Sequence, residues 1–271
     1  RGVPGHPVTT MPRRPLRLVS GAAIALAIAL HVVSLFRAIA GAAAGQGATT
    51  PADIDVAHLL RMTAIQAGLS TIISLVVGGA LAWSLNRLRF PGRGLVIGFF
   101  ASAIVTPGLI VAFGLLSVWG RTGWISALLQ LVGLRLDIPI FGLGGILAAH
   151  VILDGAFVAR ILLGRLDAIP EHRLKTGQSL GLSTFTRFAV IDWPAIRGTL
   201  PGLAAIIFLL AFTSFPIVLL LGGGPANQTL EVAIYSAVRL DFDLAAAVQL
   251  ALVQIAVCGA IIVFTTAFTP I

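Results

Sequence analysis

The sequence predicts an all-α protein, a polytopic bundle of six membrane-spanning helices with both termini on the cytoplasmic side. Three observations predict it. Of the 271 residues, 58% are hydrophobic and 10% charged, with mean hydropathy +1.02. A soluble domain carries about 25% charged residues, so this chain cannot cover itself with polar surface and lipid is its natural solvent. Apolar runs of about 20 residues, the length that crosses a bilayer, occur six times: 18–40, 59–85, 94–119, 141–164, 198–221 and 245–268. Lys and Arg are concentrated in alternate connections, with four up to Arg17, three in NRLRFPGR (86–93) and six over 160–197, against three (Arg121, Arg135, Arg239) in the other loops. Such an excess marks cytoplasmic segments. The net charge of +8 therefore reads as orientation in a bilayer and not as a nucleic-acid footprint.

Residues 1–10, RGVPGHPVTT, read as sequence upstream of Met11, and 1–17 as a cytoplasmic leader. Arg13, Arg14 and Arg17 resemble a signal-peptide n-region, but the run after them is long enough to span and has no clear cleavage site, so it reads as a retained helix. Residues 18–271 form the transmembrane domain, with its core at 57–265. His31 is a packing residue in the first span, and Arg37 and Arg61 snorkel from helix ends. The third and fifth spans contain Pro107, Pro201 and Pro216, tolerated where neighbouring helices satisfy the freed carbonyls.

On the outer side, RTGWISALLQLVGL (121–134) has helical spacing and suits a helix lying at the interface with Trp124 at headgroup level. The segment 221–243 starts with a triple-glycine turn and Pro225, then opens a short helix with Thr229 at its N-cap. Plain surface connectors are the alternative for both. That face also carries Asp53, Asp55, Asp137, Glu231, Asp241 and Asp243. Gln249 and Gln254 suit hydrogen bonds between helices. The single cysteine, Cys258, lies in an apolar run; it excludes an intrachain disulfide and reads as a packing residue.

The most informative stretch is the polar loop 165–197, RLDAIPEHRLKTGQSLGLSTFTRFAVIDWPAIR, with apolar runs on both sides. Pro170 punctuates the fourth span and opens a new helix. Residues 171–180 are helix formers, and Gly181 suits a C′ position. Ser183 or Thr184 caps a second short helix through Phe188, which Asp192-Trp193-Pro194 ends. The unit presents Leu182, Phe185 and Phe188 beside Arg187, a knob for a groove in a soluble partner. A loop folded on its own helices is the alternative.

The pattern Ile169, Pro170, Glu171, Gly177, Ser179, Leu180, Gly181, Ser183 and Pro194 resembles the cytoplasmic signature loop of the inner-membrane subunits of binding-protein-dependent ABC importers. The resemblance implies a type I importer permease, in which Gly177, Ser179, Leu180, Gly181, Leu182, Ser183, Thr184, Phe185, Arg187, Trp193 and Pro194 couple to an ATPase subunit. The family's Glu-Ala-Ala triplet falls on Lys175, Thr176 and Gly177, a departure that replaces the acid with a lysine. Over about residues 60–260, RFPGR (89–93), LLSVWGRTGW (115–124), GILAAHV (145–151), LGGGPANQTLEVAIY (221–235) and the run 241–254 resemble permeases of thiamine and thiamine-diphosphate importers, specifically the first half of a two-half chain. Iron(III), sulfate and polyamine permeases share the layout. The expected partners are membrane lipid, ABC ATPase subunits, a periplasmic binding protein and a second permease half. The expected location is the bacterial inner membrane.

His150 and Asp154 stand at i and i+4 in the fourth span. A charge at mid-bilayer costs roughly 2.5–3.5 kcal/mol on insertion scales, so Asp154 faces a cavity, a partner or His150. Three readings stay open: a contact for the cationic thiazolium that the resemblance implies, a proton relay in an ion-gradient-driven carrier, or a packing pair. Thr213, Ser214 and Pro216 line a path or satisfy broken backbone. The sequence contains no GxxxxGK[ST], no HExxH and no nucleophile elbow. The GLGG at 142–145 suits close packing. The expectation is a non-enzymatic chain without a cofactor of its own, ATP being used by the partner.

Overall fold

A computed structural model describes residues 55–120, 122–131, 133 and 139–268, together with the isolated positions Leu26, Leu30, Val33 and Arg37. The chain divides into two units, Arg1–Ala52 and Asp53–Ile271. Of the first expected span, those four positions are helical and exposed, and the rest of it, His31 included, lies outside the described residues. The second unit is all helix among its described residues.

α1 (Val56–Arg87) is capped by Asp55, whose side chain accepts from the His58 backbone N–H at 2.9 Å. Its burial pattern is inverted relative to a helix in water. Thr63, Gln66, Ser70, Ser74 and Gly78 face inward, while Ile72 and Val76 point outward at 61% and 67% exposure. Small and polar residues inside with large apolar ones outside is the arrangement of a helix whose solvent is lipid, where small side chains let backbones approach and polar ones bond across helices.

After the turn at Pro91 and Gly92 come α2 (Arg93–Ser102), α3 (Gly108–Trp119) and α4 (Trp124–Leu131). The expected span 94–119 is thus two helices. Pro107 supplies no N–H and forces the residue before it out of the helical region. α4 bears out the helix expected within 121–134, with Trp124 exposed.

α5 (Leu143–Asp167) is the most buried long helix described, and its pairing with α1 is the most extensive in the fold. The two backbones nearly touch. A Cβ on Gly78 would lie 2.5 Å from the Gly155 carbonyl oxygen and 2.6 Å from the Val158 Cβ.

The polar loop is followed by α9 (Leu200–Phe212) and α10 (Phe215–Leu221), then α11 (Leu230–Arg239) and α12 (Leu244–Phe268). The expected fifth span breaks at Thr213–Ser214, ahead of Pro216. The hydroxyl of Thr213 donates to the Leu209 carbonyl at 2.8 Å. Among the described residues, four stretches are long and apolar enough to cross a membrane: Val56–Arg87, Gly108–Leu131, Leu143–Asp167 and Leu244–Thr266. A fifth counts if Thr184–Arg197 and Leu200–Phe212, bent by 59°, act as one.

Side chains of α1 hold the other helices. Gln66 Nε2 donates to the Ala211 carbonyl at 2.6 Å, and Thr63 Oγ1 accepts from the Leu230 backbone N–H at 3.0 Å. Thr229 occupies the expected N-cap of α11, but its own side chain makes no capping bond; Thr63 does that work from 167 residues away. The triple glycine does form a turn, with Gly223 and Gly224 at φ +70 and +127. The Gly142 N–H donates to the Leu221 carbonyl at 2.6 Å and Asn227 Nδ2 donates to the Gly222 carbonyl at 2.9 Å.

Two adjacent alanine substitutions test the α1–α5 contact. Gly78→Ala meets backbone and is expected to destabilise by about 1–3 kcal/mol, the overpacking range. Gly79→Ala meets only Leu162 Cδ1 at 3.8 Å, and is expected to be neutral or stabilising through helix propensity. Thermal unfolding in detergent checks both; equal midpoints would contradict the close approach.

Candidate functional site

The loop between α5 and α9 folds as three short helices and a wide turn. α6 (Glu171–Ser179) starts after Pro170, which stands at the N-cap with ψ 135 and not at the first helical position. It stops in a complete Schellman motif: the Gly181 N–H donates to the Gln178 carbonyl at 3.0 Å and the Leu182 N–H to the Gly177 carbonyl at 3.1 Å, with Gly181 at φ +65. Ser183 then caps α7 (Thr184–Arg187), accepting from the Thr186 N–H at 3.2 Å. The chain does not end its helix at Asp192-Trp193-Pro194, as the sequence suggested. It passes through a π turn, Phe188–Asp192, into α8 (Trp193–Arg197), because Pro194 falls in the first turn of α8, where no donor is required of it.

This packing decides which side chains are offered outward. Gly177 is buried, and a Cβ there would meet Ile191 Cδ1 at 3.0 Å and Leu182 Cδ1 at 3.6 Å. Leu182 is therefore half-buried on α6, and Phe188 is half-buried edge-on against Trp83, their ring centroids 6.0 Å apart. The most exposed large apolar groups of the loop are Phe185 at 80% and Leu180 at 71%, followed by Val190 at 61%. So the expected trio Leu182, Phe185 and Phe188 is replaced by Leu180 and Phe185, with Arg187 half-buried beside them. Ser179, Thr184, Trp193 and Pro194 are exposed on the same unit. Lys175 pairs with Glu171 at 3.2 Å with both side chains exposed, a contact worth under about 1 kcal/mol.

The loop is fastened to the end of α1 by a partnership that the sequence did not reveal. Asp192, 1% exposed, pairs with Arg87 and accepts from Trp83 Nε1 at 3.0 Å. The Arg87 guanidinium also lies over the Trp83 ring, 4.5 Å from its centroid. Nearby, Asn86 Nδ2 donates to Asp167 at 2.8 Å, and Arg93 approaches the same carboxylate at 3.8 Å, in a more exposed setting. Removing one partner of a buried pair costs about 3–5 kcal/mol, whereas an exposed pair contributes about 0–1. The Asp192 joint is accordingly the firm one. The available sequence signal was an acid, Asp192, between apolar Phe188–Ile191 and Trp193.

Two hollows flank the loop. One, of about 710 Å³, is lined by Val76, Trp83, Leu162, Phe185, Phe188 and Trp193 and opens between α1, α5 and the loop. The other, of about 430 Å³, lies under α6 beside His172, Arg173 and Leu180. His150 and Asp154 line neither. His150 Nδ1 shares a hydrogen bond with Ser70 Oγ across the α1–α5 interface at 3.0 Å. Asp154, one turn further along α5, is buried, forms no ion pair with His150, and has an Oδ2 without a hydrogen-bond partner in the structure. A hydrogen bond between His150 and Asp154, one of the three readings, is not formed; His150 bonds Ser70 across the helices instead. Thr213, Ser214 and Pro216 sit together at the α9–α10 break, with no hydrogen bond to His150 or Asp154. Gln254 donates to Glu231, joining α12 to α11. Among the described residues no group of three His, Cys, Asp or Glu could hold a metal ion.

The chain is 38% identical over 243 residues to the thiamine transport system permease protein ThiP of Salmonella typhimurium, covering 90% of this chain and 45% of that protein. It is 41% identical over 201 residues to ThiP of Escherichia coli, covering 74% and 38%. It thus spans less than half the length of these relatives. It is also 31% identical over 175 residues to the molybdenum transport system permease protein ModB of Azotobacter vinelandii, covering 65% of this chain and 76% of that one. These relatives are transport permeases and not enzymes. No protein-family model matches. Among solved structures, a bacterial alginate ABC transporter in complex with alginate pentasaccharide-bound periplasmic protein superposes with TM-score 0.74 at 17% identity, covering 93% of this chain and 95% of that chain. A second structure of an alginate importer gives 0.71, also at 17%. At that identity the likeness shows the fold, that of an ABC transporter's membrane subunit, and the sequence relatives speak for descent: the chain belongs to the family of transport system permease proteins.

Proposed function

We propose that this chain is a permease half of an ABC importer of the bacterial inner membrane, moving thiamine or its phosphates. One observation carries the reading. The loop from α6 to α8 is a self-folded unit, fastened to the bundle through Asp192, that holds Phe185 and Leu180 out to water. A large exposed aromatic on a rigid mount is an anchor for a groove in a soluble partner, here a separate ATPase subunit. Thiamine as substrate is supported by the names of the relatives at 38% and 41% identity.

The chain makes and breaks no bond and carries no cofactor. Nucleotide-driven closure of the ATPase subunits displaces the 171–197 loops of two permease halves, and the path between the halves switches from inward to outward exposure. Both termini and the loop face the cytoplasm, because the basic connections 86–93 and 160–197 lie on one side. A periplasmic binding protein docks outside, near 121–138 and 222–243, where Phe242 is exposed. Lipid covers outward apolar residues such as Leu95, Phe99 and Val263. The break at Thr213–Pro216 contributes to the path, as interrupted helices do in transporters. His150 and Asp154 have a structural role within the helix bundle.

The reading is tested in proteoliposomes holding the full permease, its ATPase and its binding protein. Labelled thiamine uptake is expected to require ATP and both partners and to ignore a protonophore. Uptake without the ATPase that collapses with a protonophore would instead identify a gradient-driven carrier. Phe185→Asp and Gly181→Pro are expected to lower ATPase co-purification by about tenfold or more, as loss of a hot-spot anchor does, with membrane insertion intact. Normal co-purification of both variants contradicts the assignment of the loop. Asp154→Asn is expected to leave the KM for thiamine within about threefold, since neutralising an unpaired buried acid removes no substrate contact. A KM raised tenfold would move Asp154 into the path.

A further inference from the structure

We infer that Arg87 and Asp192 are positioning residues for transport: their buried pair, roofed by Trp83, is the joint that passes displacement of the loop into α1. This rests on the coupling role proposed above for the loop, and goes beyond it by naming where force leaves the loop and which helix receives it.

Phe185 and Leu180, the groups a partner would grip, belong to a unit whose first helix packs on its wide turn, through Gly177 against Ile191 and Leu182, while Ile196 of α8 joins the apolar core beside Leu162 and Leu166 of α5. Such a unit moves as one piece. Among the described residues, three carboxylates at or near it make polar links: Glu171, Asp167 and Asp192. The Lys175–Glu171 pair is internal to α6 and links it to nothing else. The bonds from Asn86 and Arg93 end on Asp167, the last residue of α5 and outside the unit; that carboxylate is half exposed, so water can replace either partner. The third link runs from Asp192, at the end of the π turn, to Arg87 and Trp83 on the last turn of α1. It is the buried one, and both oxygen-directed donors come from α1. Arg87 and Trp83 are four residues apart on one helix face, so the carboxylate grips α1 at two points, and the guanidinium stacked on the indole cannot swing away freely.

What α1 does with a push follows from its other contacts. Five residues before Trp83 in α1, Gly78 lies against the backbone of Gly155 of α5. Further along, Gln66 holds Ala211 at the end of α9, and Thr63 holds the first N–H of α11. A displacement delivered at Arg87 therefore reaches α5, the α9–α10 break and α11 through one rigid helix. The π turn fits this role. Its extra residue per turn is a local departure from α geometry of the kind found at functional sites, and it ends on the residue that makes the joint.

The test uses the complete transporter in proteoliposomes and reads uptake per ATP hydrolysed. ATPase co-purification and hydrolysis stimulated by the binding protein are measured on the unaltered assembly, and report on the proposed function alone. Asp192→Asn and the apolar double variant Arg87→Met with Asp192→Leu are then compared with Asp167→Asn. The double variant leaves no unpaired buried charge, so it keeps the fold while losing the directional grip. Both Asp192 variants are expected to retain ATPase co-purification and hydrolysis, while uptake per ATP falls by about tenfold, an ordinary coupling free energy. Asp167→Asn is expected to leave the ratio unchanged. An unchanged ratio in Asp192→Asn, or a ratio restored in the double variant, would overturn the inference, as would loss of ATPase co-purification in parallel with uptake, which would reduce the pair to a support for the loop's own fold.

Discussion

The contact between Gly78 and Gly155 sets the geometry on which the rest of the structure depends. With no side chain at Gly78, α1 and α5 approach until a single added carbon there would strike the Gly155 carbonyl. The hydrophobic effect does not drive such an approach between helices in lipid, because hydrocarbon lies on both sides of the balance. Close packing and cross-helix hydrogen bonds must hold it instead. The inward row of Thr63, Gln66, Ser70 and Ser74 supplies both, and explains why the large apolar residues of α1 face out.

From this pair the functional surfaces follow. α5 runs straight into the polar loop, and α1 ends beside it, so the loop is held by both members of the tightest helix pair in the fold. At the opposite end of α5, the Gly142 N–H is bonded to the Leu221 carbonyl at the foot of the triple-glycine turn. The two ends that the proposed function assigns to the ATPase and to the binding protein are thus ends of the same central helix. In an alternating-access machine, a rigid connection between the two faces is what lets an event on one side change exposure on the other.

The parts of this architecture that were legible in the sequence are those fixed by local chemistry. Pro170, Gly181 and Ser183 each impose a backbone geometry or a cap within a few residues, and the loop follows them closely. The inventory of apolar runs identified the fold class for the same reason, since bilayer thickness sets helix length. The misreadings are tertiary. Nothing near Thr229 announces that Thr63 will cap α11. Leu182 and Phe188 read as side chains presented beside Phe185, yet turn inward, Leu182 towards Gly177 and Phe188 against Trp83. The partnership of Arg87 with Asp192 spans 105 residues, and each residue alone has an adequate local explanation, as a positive-inside charge and as a helix stop. The breaks at Pro107 and Pro216 were visible as prolines, but whether a proline bends a span or divides it depends on the neighbouring helices.

The central claim is that the loop carrying Phe185 faces the cytosol and receives a motor there. The most direct measurement places a single thiol at Thr184→Cys in a Cys258→Ser background and labels it with a membrane-impermeant maleimide. The account predicts reaction in inside-out vesicles, none in intact spheroplasts, and protection once the ATPase subunits are bound. Labelling from the periplasmic side would contradict it.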